Sequence, residues 1–263
     1  MKVSISNIAW EKENDETMYK FLQKNGVEGL EIAPTRLFPD SPYDHINEAK
    51  ETRKRLYEDY GLNISSMQSI WYGRNEKIFE SEEQRNALLE YSKKAAEFAN
   101  ALGCNNMVFG CPRNRNIENE RDIETAYVFF DKMGEIALEA GTIFALEANP
   151  PIYNTNFLNK TNEVCEFLQN ICSAGIKINY DLGTVIENKE PVSDIKGMME
   201  KINHIHVSEP YLAQIKYGEV HNKLVDYLFE CSYSKYISIE MKNTNDIECV
   251  KNVVKQLLTY VRR

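Results

Sequence analysis

Glu147, Asp181, His206 and Glu240 carry side chains that bind metals or move protons, and they lie 34, 25 and 34 residues apart. Each stands at or near the end of a short apolar run: Phe144-Ala145-Leu146-Glu147, Ile178-Asn179-Tyr180-Asp181, His204-Ile205-His206-Val207 and Ile237-Ser238-Ile239-Glu240. A carboxylate ending an apolar run is costly unless something compensates its charge. Three carboxylates and an imidazole brought to one place would repel one another, and a divalent cation resolves that. The donor set suits a hard or borderline ion: Mn²⁺, Mg²⁺, Co²⁺ or Zn²⁺. With no thiolate in the set, a structural zinc is disfavoured. Taken singly, each acid reads as a salt bridge or an exposed strand end, and His206 as a hydrogen-bonded core histidine. The repeated spacing is what joins them.

That spacing is about one strand-plus-helix unit. Eight β-branched runs recur, at 3–9, 27–32, 63–69, 106–110, 143–147, 176–181, 202–208 and 236–240. Between them lie stretches with apolar residues at helical intervals, such as Leu88, Leu89, Ala95, Ala96, Phe98 and Ala99. Strands alternating with helices imply parallel strands joined by crossovers. Eight units in 263 residues predict one (β/α)8, or TIM, barrel spanning residues 1–263 as a single domain. An open doubly wound sheet is the alternative, but no GxGxxG follows the first run. Helices return to strands through brief turns ending in Gly26, Gly61, Gly103, Gly141 and Gly175, which fit left-handed helix C-caps. Strands lead into helices through longer segments, 33–43, 70–80, 111–120 and 148–159. Long loops at one end of such a barrel are where its chemistry is placed.

The formal charge of -9 disfavours nucleic acid as a partner. No run of about 18 apolar residues is present to span a membrane, and Met1-Lys2 leads straight into a strand pattern with no secretory signal. The six cysteines are scattered without a CxxC pair. They read as reduced, mostly buried thiols of a cytoplasmic protein. Self-association into a homo-oligomer is left open.

With Ala145-Leu146-Glu147, Asp181, His204-Ile205-His206-Val207-Ser208-Glu209 and Tyr236-Ile237-Ser238-Ile239-Glu240 in place, the chain resembles the xylose isomerase-like TIM barrel superfamily. It is most similar to the sugar phosphate isomerase/epimerase group with its ketose 3-epimerases. The resemblance covers nearly the whole chain. It implies one divalent metal held by Glu147, Asp181, His206 and Glu240, with Glu147 and Glu240 as the catalytic pair on opposite faces of a sugar. Proton removal by one carboxylate gives a cis-enediolate. Return from the same carboxylate to the other carbon isomerises the sugar, and return from the opposite carboxylate epimerises it. Two positions depart from that pattern. Thr184 stands where those enzymes carry a histidine, and Glu209-Pro210-Tyr211-Leu212 where they carry an arginine. Endonuclease IV shares the superfamily, but its metal cluster needs more histidines than the four here.

A sugar site needs amide donors and aromatic faces. The loop-rich end supplies candidates for substrate binding: Asn7, Trp10, Gln68, Trp71, Asn149, Asn154, Glu209 and Tyr211, with Glu31 and Asn156 beside them. Trp10 and Trp71 read equally as stacking platforms or as caps of the barrel core. Arg113 and Arg115 suit a phosphate or carboxylate, or a surface loop paired with Glu118 or Glu120. His204 points to the same side as His206, one layer deeper, and reads as core. The leading function is a metal-dependent isomerase or epimerase. A metal-dependent dehydratase of the same superfamily and a sugar-binding barrel without catalysis are the alternatives.

Overall fold

Eight short strands pair side by side in the order in which the chain makes them, and β8 closes on β1. The computed structural model describes residues 1–262. The strands are β1 (Lys2–Ser6), β2 (Gly29–Ile32), β3 (Asn63–Met67), β4 (Met107–Phe109), β5 (Phe144–Glu147), β6 (Ile176–Asp181), β7 (Ile202–Val207) and β8 (Tyr236–Ile239). Every neighbouring pair is parallel. This is the (β/α)8 barrel that the sequence predicts. Several strands end one to three residues earlier than their apolar runs. The run 3–9 stops at Ser6 because Asn7–Ala9 turn into a 3-10 segment.

Residues alternate across each strand. One side, including Ile5, Leu30, Ile32, Ile205, Ile237 and Ile239, packs against the surrounding helices and is buried. The helix Glu82–Leu102 contributes Leu88, Ala95, Ala96, Phe98 and Ala99 to this layer. The side facing the barrel axis is unusually polar. Ser4, Ser6, Glu31, Gln68, Asn179, His204, His206 and Ser238 are all buried, where this fold ordinarily stacks branched apolar side chains.

The expected glycine caps hold at Gly26, Gly61, Gly103 and Gly141, whose φ values are positive. Gly175 differs. A Cβ there would lie 2.0 Å from the carbonyl oxygen of Gly134, so close backbone approach, and not a left-handed turn, requires glycine. All six cysteines are free, but only Cys104 is buried and Cys172 is exposed, which corrects the expectation of mostly buried thiols. Among the described residues, no helix is long and apolar enough to cross a membrane.

Candidate metal centre and substrate pocket

β5, β6, β7 and β8 bring their C-terminal ends to one mouth. The register aligns Asp181 with His206, and His206 with Ser238, two residues before Glu240. His206 Nδ1 lies 3.1 Å from Glu147 Oε2, 3.1 Å from Glu240 Oε2 and 3.9 Å from Asp181 Oδ2. One ligand atom from each of the four residues lies within 4.8 Å of the others. His206 is fully buried, and the three acids are only 9–12% exposed. The sequence therefore names four groups that the fold does bring together.

Two of the three acids are fastened by neighbours. Asn149 Nδ2 donates to Glu147 Oε1 at 3.0 Å and Asn179 Nδ2 to Glu147 Oε2 at 2.7 Å. Asp181 accepts from the Thr184 backbone N–H at 2.6 Å and from Ser208 Oγ at 2.5 Å. Behind His206, Nε2 lies 2.9 Å from Glu31 Oε2. Glu31 Oε2 is also 2.9 Å from His204 Nε2. His204 fills the barrel centre as expected and reaches this carboxylate as well.

The electrostatics carry excess negative charge. Burial, helped by the adjacent Glu147 carboxylate, pushes Asp181 up to about 6. Burial pushes Glu240 up to about 7, against the opposing pull of His206. Burial disfavours a charged His206, but Glu240 and Glu31 outweigh it and hold the imidazole well above its ordinary range. Burial works to raise Glu31 too, yet the two histidines hold it below the ordinary carboxylate range. Burial lowers His204. The acids that face the mouth thus lack a full countercharge. A divalent cation fits this donor set of three carboxylates and one imidazole nitrogen.

A pocket of about 220 Å³ opens over these acids, lined also by Gln68, Asn149, Tyr153, Glu209 and Leu212. Gln68, Asn149 and Glu209 are thus placed where a substrate would sit. The other expected contacts lie elsewhere. Trp10 is buried, with Nε1 on Asp15 Oδ1 at 2.8 Å, and Trp71 is buried with Nε1 on Ser92 Oγ at 2.9 Å. Both serve the core and offer no stacking face to the pocket. Asn7 is buried and accepts from the Ala33 N–H at 3.0 Å. Arg115 is fully buried and donates to the carbonyls of Glu147 and Leu158 at 2.9 and 3.4 Å, which corrects its reading as an anion binder. Arg113, Asn154 and Tyr211 are exposed on the surrounding loops and are not among the residues lining the pocket. Asn156 ties its loop to Ile117.

Asn179 and Ser208 are functional neighbours that the sequence reading did not single out. Asn179 and Ser208 stand two residues from Asp181 and His206, so strand parity alone places them on the same face. Tyr153 sits in a 3-10 turn and has no such periodic signal. Its hydroxyl accepts from the Tyr211 N–H at 2.9 Å, and burial pushes it up to about 12. It stays protonated and can donate. The two departures noted in the sequence also have a place. Thr184 Oγ1 donates to the Ala148 carbonyl at 2.8 Å, and Glu209 and Leu212 face the pocket.

The fold and the site define a (β/α)8 barrel with a metal-type carboxylate–imidazole cluster at the C-terminal mouth. The chain belongs to the xylose isomerase-like TIM barrel family, whose model matches residues 19–259. No curated protein sequence matches it. Among solved structures it is similar to the 3-keto-D-glucoside 4-epimerase of E. coli, at 18% identity over 98% of this chain and 99% of that one, with a TM-score of 0.79. It is similar to D-psicose 3-epimerase of Clostridium cellulolyticum at 17% identity, over 100% and 98% of the two chains, with a TM-score of 0.80. The probable 3-DHS dehydratase of Bacillus anthracis shares the fold at 16% identity, over 100% and 99%, with a TM-score of 0.73.

Proposed function

We propose that the chain is a divalent-metal-dependent isomerase or epimerase of an uncharged sugar or sugar derivative, working through a cis-enediolate. One observation carries the reading: two glutamates from β5 and β8 converge on the same histidine nitrogen, each 3.1 Å away, beneath a small pocket. Glu147, Asp181, His206 and Glu240 would hold the ion. When bound, it supplies Lewis-acid polarisation of a carbonyl and its neighbouring hydroxyl, which acidifies the C–H between them. Glu147 and Glu240 take and return the proton. Asn149 and Asn179 orient Glu147, and Tyr153 donates to a substrate oxygen.

The pocket lining argues for an uncharged substrate. It contains Glu147, Asp181, Glu209 and Glu240 and no lysine or arginine. A divalent ion offsets only two of those four negative charges, and a His206 that ligates it is neutral, so a phosphate or carboxylate would meet net repulsion. The volume of about 220 Å³ is below the roughly 300–1,000 Å³ of sites for drug-sized ligands and suits one sugar ring or open chain. The deciding experiment is a screen of ketoses, their phosphates and inositol-type ketones in deuterated water with Mn²⁺. Exchange of a substrate C–H without loss of water supports the proposal. A conjugated carbonyl product points to the dehydratase, and binding with no exchange points to a non-catalytic barrel.

Removal of metal should show in stability against pH. Asp181 and Glu240 have folded values of about 6 and 7 against 3.8 and 4.5. In the metal-free protein the native state therefore binds their protons more tightly than the unfolded chain does. Their effect is a loss of stability as pH rises from about 4 to 7. His206, also raised, extends the loss upward, while His204, lowered, opposes it below pH 6.5. The metal-free protein is expected to melt at a lower temperature at pH 7.5 than at pH 6. A divalent ion at a hundred times its Kd should add about 2.7 kcal/mol, roughly 5–10 °C for a domain of this size. Calorimetric scans at the two pH values, with and without Mn²⁺, check both parts. Equal melting temperatures in all four conditions would count against the site.

Tyr153→Phe removes only a hydroxyl. One net hydrogen bond is worth about 1 kcal/mol, so KM should rise about fivefold with kcat little changed. An unchanged KM would mean that the hydroxyl serves only Tyr211.

A further inference from the structure

We propose that Glu31, at the centre of the barrel, is a positioning residue: it holds His206 in one tautomer and one ring orientation, with Nδ1 presented to the mouth. The inference rests on the metal reading above. Glu31 lies one residue before the end of β2, at a register shift between Leu30 and Glu31 that sets it opposite Ser66 on β3. Its side chain is fully buried and does not line the pocket, so no substrate atom reaches it. A buried carboxylate in a barrel interior is costly unless it is paired, and this one is paired three ways. Oε2 is 2.9 Å from Nε2 of His206 and 2.9 Å from Nε2 of His204. Oε1 accepts from Gln68 Nε2 at 3.2 Å, and that amide also donates to Ser6 Oγ at 2.5 Å.

An ionised carboxylate can only accept. The hydrogen of His206 in this contact is therefore on Nε2. A neutral His206 with its hydrogen on Nε2 carries its lone pair on Nδ1, the atom that lies 3.1 Å from both Glu147 and Glu240. The His204 ring stands at 89° to the His206 ring. Packed beside Glu31 it fills the far side, and Gln68 holds the second oxygen, so the carboxylate cannot swing to follow a ring flip. Remove that grip and either nitrogen of His206 can face the mouth. Loss of such a partner behind a metal-binding histidine typically weakens affinity by 10–100-fold.

The test is zinc binding by calorimetry to the wild-type protein and to Glu31→Gln, with an imidazole ¹⁵N spectrum of the zinc-loaded wild type. Glutamine keeps the shape but removes the charge behind His206, and its NH₂ must face either the donating amide of Gln68 or the imidazoles at the Oε2 position. The expected result is a 10–100-fold weaker zinc affinity with the melting temperature of the metal-free protein within a few degrees of wild type. The spectrum should show His206 ligated through Nδ1 and protonated on Nε2. Affinity within twofold of wild type, or ligation through Nε2, overturns the inference. If Glu31→Gln does not fold, the wild-type spectrum decides alone. A wild-type protein that binds no zinc removes the metal reading and this inference with it, whereas tight wild-type binding unchanged in the variant removes only the role of Glu31.

Discussion

Glu147→Gln and Glu240→Gln are each expected to lower turnover by at least about 10²-fold while the barrel stays folded. The size is that of lost general-base catalysis, and 10² corresponds to about 2.7 kcal/mol of barrier. Glutamine keeps the side-chain length and one oxygen that can still ligate, but it removes the second basic oxygen. Glu147 has neighbours that make its loss specific, since both of its oxygens accept from amides, of Asn149 and Asn179. An amide at 147 would face those donors with an NH₂ of its own. Glu240 is nearly buried and, without metal, sits at about 7. It needs the cation to be fully ionised at neutral pH. The two variants need not fail alike. If only one abolishes exchange of the substrate C–H with deuterated water, that residue is the base for the face concerned. Stopped epimerisation with surviving exchange would mark the other as the donor. Near wild-type rates in both variants would exclude the two-carboxylate mechanism.

How legible this was in the sequence depends on what kind of signal each residue leaves. The four candidate ligands were readable because strand ends repeat about once per βα unit, and closure of the barrel brings those ends together whatever the loops do. The residues that orient them followed the same rule one step removed: Asn179, His204 and Ser208 are two positions from a ligand, where parity points them inward. The loops obeyed no period. Trp10 and Trp71 sit after strand ends as substrate contacts would, yet an indole large enough to stack on a sugar is also large enough to plug the space between strands and helices. Each found a hydrogen-bond partner there. Tyr153 does reach the pocket, from a loop whose path depends on Arg115 and Asn159 donating to its carbonyls. Glu31 was visible as a polar strand end, but its role needed the distance to two histidines that lie more than 170 residues away in sequence.

Arg113 and Arg115, two residues apart and identical in type, should behave oppositely when replaced. Arg115→Ala is expected to cost about 3 kcal/mol or more in stability, and Arg113→Ala less than about 0.5 kcal/mol, as for other exposed sites. Arg115 is the largest fully buried side chain. Burial pushes it down to about 10, still far above neutrality, so it is a buried cation. Its guanidinium joins the Glu147 carbonyl at 2.9 Å to the Leu158 carbonyl at 3.4 Å. Leu158 holds a left-handed φ of 56°, a conformation disfavoured for a bulky residue, and its carbonyl also accepts from the Asn149 N–H at 3.1 Å. The clamp thus spans the loop that carries Asn149 and Tyr153. Truncation leaves a large cavity and strips a charged donor from two carbonyls, each such bond being worth about 1.5–3 kcal/mol. Lysine should not rescue, because an ammonium is not a planar fork that can span two acceptors. Urea unfolding with an unchanged m-value would measure the loss, and a shift below about 1 kcal/mol would show that the loop holds itself. The same variant gives a second reading well below its melting temperature. If Arg115 fixes the end of β5, turnover falls even in the folded fraction, because the Glu147 carboxylate loses its position relative to His206 although neither residue has changed.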